Sequence, residues 1–172
     1  MMKRFLLLLL LLTPMGSGLA QKPTATVSPT QALANAINAV RVVEKRVPLT
    51  INARLTAAAE SHAADMAERG YFAHKDPDGN GLQARLVRAE YPYDLALEVI
   101  AAGQRDPQIV VADWLDSAEH RKNLLDRNVR DIGVAHLYYP SDPAVSRHRH
   151  YWVVVLGLAE KPRRQEQANA KR

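Results

Sequence analysis

The 172-residue chain contains no cysteine. That absence excludes thiol catalysis, cysteine-ligated metal and disulfide bracing together, so the folded state must rest on an apolar core. The local signatures of several common chemistries are missing too. There is no G-x-S-x-G elbow, no Walker loop, no H-E-x-x-H pair and no EF-hand loop. Familiar hydrolase, nucleotide and calcium-sensor readings lose their basis. The aliphatic run Leu6–Leu12 is too short to span roughly 30 Å of hydrocarbon.

What is present begins with that run. Lys3 and Arg4 precede it, and small residues follow to Gly18-Leu19-Ala20, the layout of a secretory signal peptide cleaved after Ala20. The expected organisation is a signal peptide over 1–20, a Pro/Thr-rich linker over 21–30, one domain over 31–160 and a basic tail over 161–172. About 150 residues remain after cleavage, enough for one domain with its own core. The tail "KPRRQEQANAKR" holds Glu166 as its single acid. Its composition predicts a solvated, disordered end rather than a nucleic-acid arm. The expected location is secreted or periplasmic, with no transmembrane helix after cleavage and a monomeric state.

Helical spacing starts near Thr30 with Leu33, Ile37 and Val40, and must stop before Pro48. The segment 52–70 carries the strongest helix pattern. Leu55, Ala59, His62 and Met66 form one stripe, Asn52 is placed to cap the start, and Gly70 to close the end. "GLQARLVRAE" is a shorter helix. Asp106-Pro107 reads as an N-cap with proline at the first helical position, opening a helix in which Val110, Val111 and Trp114 face inward. Ser117 is placed to cap a last helix, "AEHRKNLL". Two strand-like runs, 131–139 and 151–159, flank a long hairpin loop. The fold class expected is α+β, with helices packed on a small antiparallel sheet.

Six histidines remain as carriers of chemistry. His62 reads as a core-edge imidazole bonded to backbone, His136 as exposed, and His148 and His150 as loop residues with at most weak affinity for metal. In "GYFAHKDPDGNG", the segment from Asp76 to Gly81 has turn chemistry and lacks the closing glutamate of a calcium loop. His74 precedes that turn, behind Tyr71-Phe72, which are expected to pin the loop to the core. His120 stands at the start of a helix. Between them in sequence lies Glu98, an acid inside the apolar run "LALEVIAAG". Burying such a charge is costly unless it is paired, and a histidine would serve as partner. Two imidazoles and one carboxylate also match the donor preference of a zinc-like divalent ion.

Taken in order, "LTAAAESHAADMAERGYFAH", "PDG", Arg85, "LEVIAAG", "EHRKNLLDRNVRDIGVA" and "YWVVVLG" resemble the CAP superfamily of cysteine-rich secretory, antigen 5 and pathogenesis-related 1 proteins. The likeness is to its cysteine-poor bacterial branch, the SCP-like extracellular proteins, and covers residues 31 to 159. It implies an α-β-α sandwich with a central cleft lined by two histidines and two acids. Carried over, these are His74, Glu98 and His120. The second acid of the pattern falls on Ser117, with Asp116 just before it. The G-E-N core of the family reads Leu97-Glu98-Val99 here, and Glu119 replaces a glycine before the second histidine.

The resemblance implies a secreted binding module whose cleft holds a divalent metal such as zinc, a small polar ligand or a cell-envelope component. No nucleic-acid partner is expected. The alternative is a metal-assisted hydrolase of peptide or cell-envelope material, with Glu98 as general base. A third reading makes the histidines and Glu98 a structural network that ties helices to the sheet.

Overall fold

The computed structural model describes residues 27–141 and 148–161. The expected signal peptide, residues 21–26 of the linker, and 162–172 of the tail lie outside the described residues. Helix α1 spans Pro29–Val43, with proline in its first turn and the Ser28 hydroxyl accepting from the Gln31 amide at 3.2 Å. Strand β1 is Thr50–Ile51, and α2 runs Ala53–Arg69. Asn52 caps α2 through bonds to the amides of Arg54 and Leu55, and Gly70 ends it with φ 69°. Then come α3 (Leu82–Arg88), β2 (Tyr93–Ala102), α4 (Pro107–Asp116), α5 (Ala118–Leu124), β3 (Asp131–Tyr138) and β4 (His150–Ala159). Asp106 caps α4 as its sequence implies. Ser117 stands at the junction before α5 but makes no side-chain cap bond.

The four strands form one sheet in the order β1-β3-β4-β2. Strands β3 and β4 pair as the expected hairpin, and β2 pairs antiparallel to β4. The sheet is nevertheless mixed, which corrects the expectation of an antiparallel one. Strand β1 runs parallel to β3, pairing Thr50 with Asp131 and Ile51 with Ile132. Two residues are too few to display a period, so β1 left no mark in the sequence pattern.

Alternation along the strands sends side chains to two cores. On one face Val99, Ala101, Ile132, Val134, Trp152, Val154 and Leu156 pack with Leu33 and Ile37 of α1, Val110 and Trp114 of α4, and Leu124 of α5. On the other, Ile100, Ala135, Tyr151, Val153 and Val155 pack with Leu55, Ala59 and Met66 of α2 and Leu86 of α3. The result is a three-layer α-β-α sandwich. Among the described residues no helix is long and apolar enough to cross a membrane.

The histidines at the hairpin end depart from expectation. His150 is the first residue of β4 rather than part of the loop. His136 is partly buried: its ring stacks on Trp152 with centroids 3.9 Å apart. Its Nε2 lies 3.0 Å from His150 Nδ1, while the two ring centroids are 5.3 Å apart and their planes 11° off parallel. The centroid distance exceeds the nitrogen distance by about two ring radii. The rings therefore meet end on in nearly one plane, through an N–H···N bond that requires one nitrogen to stay unprotonated.

Burial, followed by the charge of His150, pushes His136 down to about 4 from its ordinary 6.5. An unfolded chain takes up a proton here below about pH 6.5 and the folded chain does not, so stability falls as pH drops from about 6.5 to 4. For a half-solvated ring we expect a loss of about 1–2 kcal/mol. Urea unfolding of wild type and His136→Phe across that range checks it, and the wild type should lose more. Identical pH dependence would remove the linkage from this pair.

Candidate functional site

Strand β2 is an edge strand: among the described residues β4 is the one strand paired with it, and no strand pairs with its outer side. The sheet pleat points Leu97 and Val99 toward α1, α4 and α5, and Glu98 and Ile100 toward α2 and α3. Glu98 is thereby carried inward at the sheet margin, with 4% of its side chain exposed.

Three elements converge on that carboxylate. His74, from the loop after α2, donates from Nδ1 to Glu98 Oε1 at 2.9 Å. Arg85, from α3, donates from Nη2 to Oε2 at 2.7 Å and to the His74 carbonyl at 3.2 Å. The Arg85 side chain is also 4% exposed, so the ion pair is desolvated on both sides. His62, from the inward stripe of α2, brings Nε2 to 3.9 Å from Oε1. Neither His62 nitrogen meets strict hydrogen-bond geometry with a described group, but the Ala73 backbone lies close enough to act on the ring as an acceptor, in the direction expected of a core-edge imidazole turned to backbone. The Arg85 Nε is likewise buried without a partner.

Burial alone would raise the Glu98 carboxyl, but the His74 bond and the Arg85 charge outweigh it and hold it below its ordinary range. His74 is raised, chiefly by its bond to Glu98. Burial dominates at His62 and lowers it. His74 and Glu98 therefore bind each other as an ion pair most fully between about pH 4.5 and 6.5. The contribution of His74 fades as pH rises through its folded value, and that of Glu98 as pH falls through its own.

Outside this network is a cleft of about 430 Å³ lined by His74, Lys75, Leu97, Glu98, Glu119, His120 and Asn123, among others. The structure brings His74, Glu98 and His120 to this one cavity. Asp116 and Ser117 do not line it, and the second acid of the cleft is Glu119, one position before His120. His74 keeps 55% of its side chain exposed, so the ring presents its remaining nitrogen to solvent at the mouth. Phe72 is 41% exposed and lies against His148, with ring centroids 5.6 Å apart, so it does not anchor the loop in the core. The turn beyond His74 is held by Asp76, whose carboxylate accepts from the amides of Asp78 and Asn80 and from the Asn80 side chain.

The sequence pattern marked Arg85 only as part of the family resemblance and His62 only as a core-edge imidazole, and it paired neither with Glu98. A signal for Arg85 existed: it stands with Leu82, Leu86 and Ala89 on the inward side of α3, where a cation needs an anion as surely as Glu98 needs a cation. The match between them spans thirteen residues and two element types, which no local pattern reports.

A zinc-like ion requires uncommitted lone pairs. Each Glu98 oxygen accepts one charge-assisted hydrogen bond, Oε1 from His74 and Oε2 from Arg85, which leaves one lone pair on each. Among the described residues no group of three or more His, Cys, Asp or Glu side chains is arranged to hold a metal. The imidazoles that line the cleft are those of His74 and His120.

A family model, CAP: Cysteine-rich secretory protein family, matches residues 34–156. The uncharacterized protein YkwD of Bacillus subtilis is 32% identical over 132 residues, which cover 69% of this chain and 51% of that protein. The membrane protein YlbC of the same organism is 32% identical over 97 residues, 56% of this chain and 28% of the other. The chain thus spans about half or less of the length of these relatives. Among solved structures, an outer surface protein of Borrelia burgdorferi superposes with TM-score 0.67 at 23% identity, covering 74% of this chain and 90% of that one. An extracellular SCP-domain protein of Bacillus anthracis gives 0.63 at 24%, covering 78% of this chain and 45% of the other. At those identities the likeness speaks to the fold, and both neighbours are by description extracellular or outer-surface proteins. The match over most of the described chain and the shared α-β-α architecture lead to one conclusion: the chain belongs to the CAP, or cysteine-rich secretory protein, family.

Proposed function

We propose that this is a secreted binding module whose cleft presents His74 and His120 to a divalent cation such as zinc, or to a small polar ligand in its place. The observation that carries the reading is the hydrogen bond from His74 Nδ1 to Glu98 Oε1 at 2.9 Å. A metal-binding imidazole commonly donates its other N–H to a carboxylate, which fixes the tautomer and makes the free nitrogen a better donor. Glu98, itself clamped by Arg85, would act here as that orienting carboxylate rather than as a ligand. A bound ion would supply Lewis acidity to whatever shares the cleft. The chain's own residues orient the His74 ring and keep Glu98 charged behind it.

The same geometry weighs against the hydrolase alternative. A carboxylate paired with a buried arginine and held below its usual range is a weak acceptor for a substrate proton.

Calorimetric titration of zinc at pH 7.5 tests the binding reading. His74→Ala and His120→Ala should each lose at least about tenfold in affinity, and Glu98→Gln about 10–100-fold. Equal affinity in wild type and both histidine variants would remove the ion from this cleft. Affinity should also fall toward pH 6, because the raised His74 must release a proton before its outer nitrogen can bind.

A further inference from the structure

Helix α5 serves two concavities. Glu119, His120 and Asn123 line the cleft just described, whereas Ala118, Arg121, Lys122 and Leu125 at its far side and C-terminal end line another. At about 100° per residue these two sets point roughly 150° apart, so the helix is a wall shared by opposed surfaces. The second concavity has a volume of about 540 Å³ and is completed by Arg46, Asp126, Arg127 and Asn128. Four side chains there are cationic and one is anionic.

The cations are not equally free. Arg46, from the turn after α1, donates from Nε to the Leu125 carbonyl at 2.9 Å and from Nη1 to the Glu44 carbonyl at 3.0 Å. Arg121 Nη2 donates to Glu44 Oε1. These bonds hold two guanidinium groups in place while leaving each with unspent N–H donors. Beneath them Arg41, fully buried, donates from Nη1 to the carbonyls of Leu124 at 2.6 Å and Asp126 at 3.1 Å. Arg41 and Arg46 thus satisfy the C-terminal carbonyls of α5, whose partial negative charge would otherwise repel an anion. Lys122 and Arg127 are exposed and make no side-chain hydrogen bond or ion pair among the described residues. After Asp126 and the paired Glu44 are set against the four cations, two positive charges remain uncompensated.

The geometry points to a binding site on this face for a polyvalent phosphate ligand, one presenting two or more phosphate charges to Arg46, Arg121, Lys122 and Arg127. Planar guanidinium groups held in place, Arg46 by backbone carbonyls and Arg121 by the Glu44 carboxylate, suit phosphate oxygens bidentately, and the flanking lysine and arginine supply mobile point charges. A single small anion would leave most of the concavity unfilled, whereas neighbouring phosphates of a chain or of adjacent lipid headgroups would occupy it. The site uses the face of α5 that the His74–His120 cleft does not and stands independently of that reading.

The test uses the whole protein and two soluble-versus-lipid arms. Tripolyphosphate is titrated by calorimetry at low ionic strength, and sedimentation with phosphatidylglycerol vesicles is measured against phosphatidylcholine vesicles. The Lys122→Gln/Arg127→Gln variant removes the exposed cations of the concavity. The Arg54→Gln/Arg88→Gln variant removes two exposed cations from α2 and α3 and serves as the control for net charge. We expect the first pair to weaken tripolyphosphate binding by at least about tenfold and the control pair by less than about twofold, with binding declining as salt is raised. Parallel loss of vesicle binding in the first pair alone would assign the phosphate to a lipid headgroup. Its persistence, with tripolyphosphate binding lost, would assign it to a soluble polymer. No tripolyphosphate binding by wild type, or equal losses in the two pairs, would overturn the site.

Discussion

Glu98→Ala is expected to destabilise the folded chain by about 3–5 kcal/mol, the usual consequence of leaving a buried charge without its partner. For a domain of this size that corresponds to a fall in Tm of roughly 10–20 °C. The reason lies in Arg85, whose side chain is 4% exposed and whose Nε already lacks a partner. Without the carboxylate, only the 3.2 Å bond to the His74 carbonyl would remain to a charge that cannot be neutralised by deprotonation. His74 would lose its acceptor at the same time, and the loop carrying it would lose its tie to β2.

The double variant Glu98→Leu/Arg85→Met removes both charges and should recover much of the loss, because apolar replacement of a buried pair is often neutral. Thermal and urea unfolding of the two variants measures this directly. A Glu98→Ala protein melting within about 3 °C of wild type would show that the pair is solvated in solution and that the network does not hold α3 to the sheet.

Gly133→Ala should be at least as damaging, with an expected cost above about 4 kcal/mol or failure to accumulate as folded protein. A Cβ at this position would stand 2.1 Å from the Leu55 backbone carbon, 2.3 Å from its oxygen and 2.3 Å from the Thr56 nitrogen. These are backbone atoms in the first turn of α2, so no rotamer change relieves the overlap. Nor is the helix free to lift. The Asn52 amide donates to the Ile132 carbonyl at 2.9 Å, and the Asn52 side chain caps the same turn. Helix α2 is thus bonded to β3 beside the point where it is closest.

Gly157→Ala provides the contrast. Its Cβ would meet the Tyr91 hydroxyl at 2.5 Å, a side chain that can turn away by giving up its 2.8 Å bond to Asp131. A cost of about 1–3 kcal/mol is expected there. If the two glycine variants unfold at the same urea concentration, the close backbone approach of α2 is not the controlling contact.

The glycine in "DIGVA" illustrates how the two levels of description divide. As part of a motif it helped identify the family, but nothing in its neighbours in sequence says that a helix begun eighty residues earlier rests against it. The same holds at the site. His74, Glu98 and His120 were legible as candidates because each is out of place locally: an imidazole before a turn, an acid in an apolar run, an imidazole at a helix start. Their occupation of one cleft required the edge position of β2, with α5 on one side and the α2–α3 loop on the other. His62 was assigned to the core because its stripe is apolar, and it is in the core, yet its nearest charge is Glu98. Strand β2 itself was hidden. Its continuous apolar run has no clean alternation, since both of its faces are covered over residues 99 to 101.

By itself the sequence determined the local structure and the kinship. Asn52 and Asp106 cap helices through bonds that reach no more than three residues, Gly70 ends one by its left-handed φ, and the β3 and β4 runs form the expected hairpin. Each of these is decided by sterics and hydrogen bonds within a few positions, so it can be read there. Only the tertiary structure decided that Arg85 rather than a histidine alone neutralises Glu98, that Glu119 rather than Asp116 is the cleft's second acid, and that α5 divides two differently charged surfaces. Burial sets the cost of an unpaired charge, and burial at each of those positions comes from helices and strands far apart in the chain.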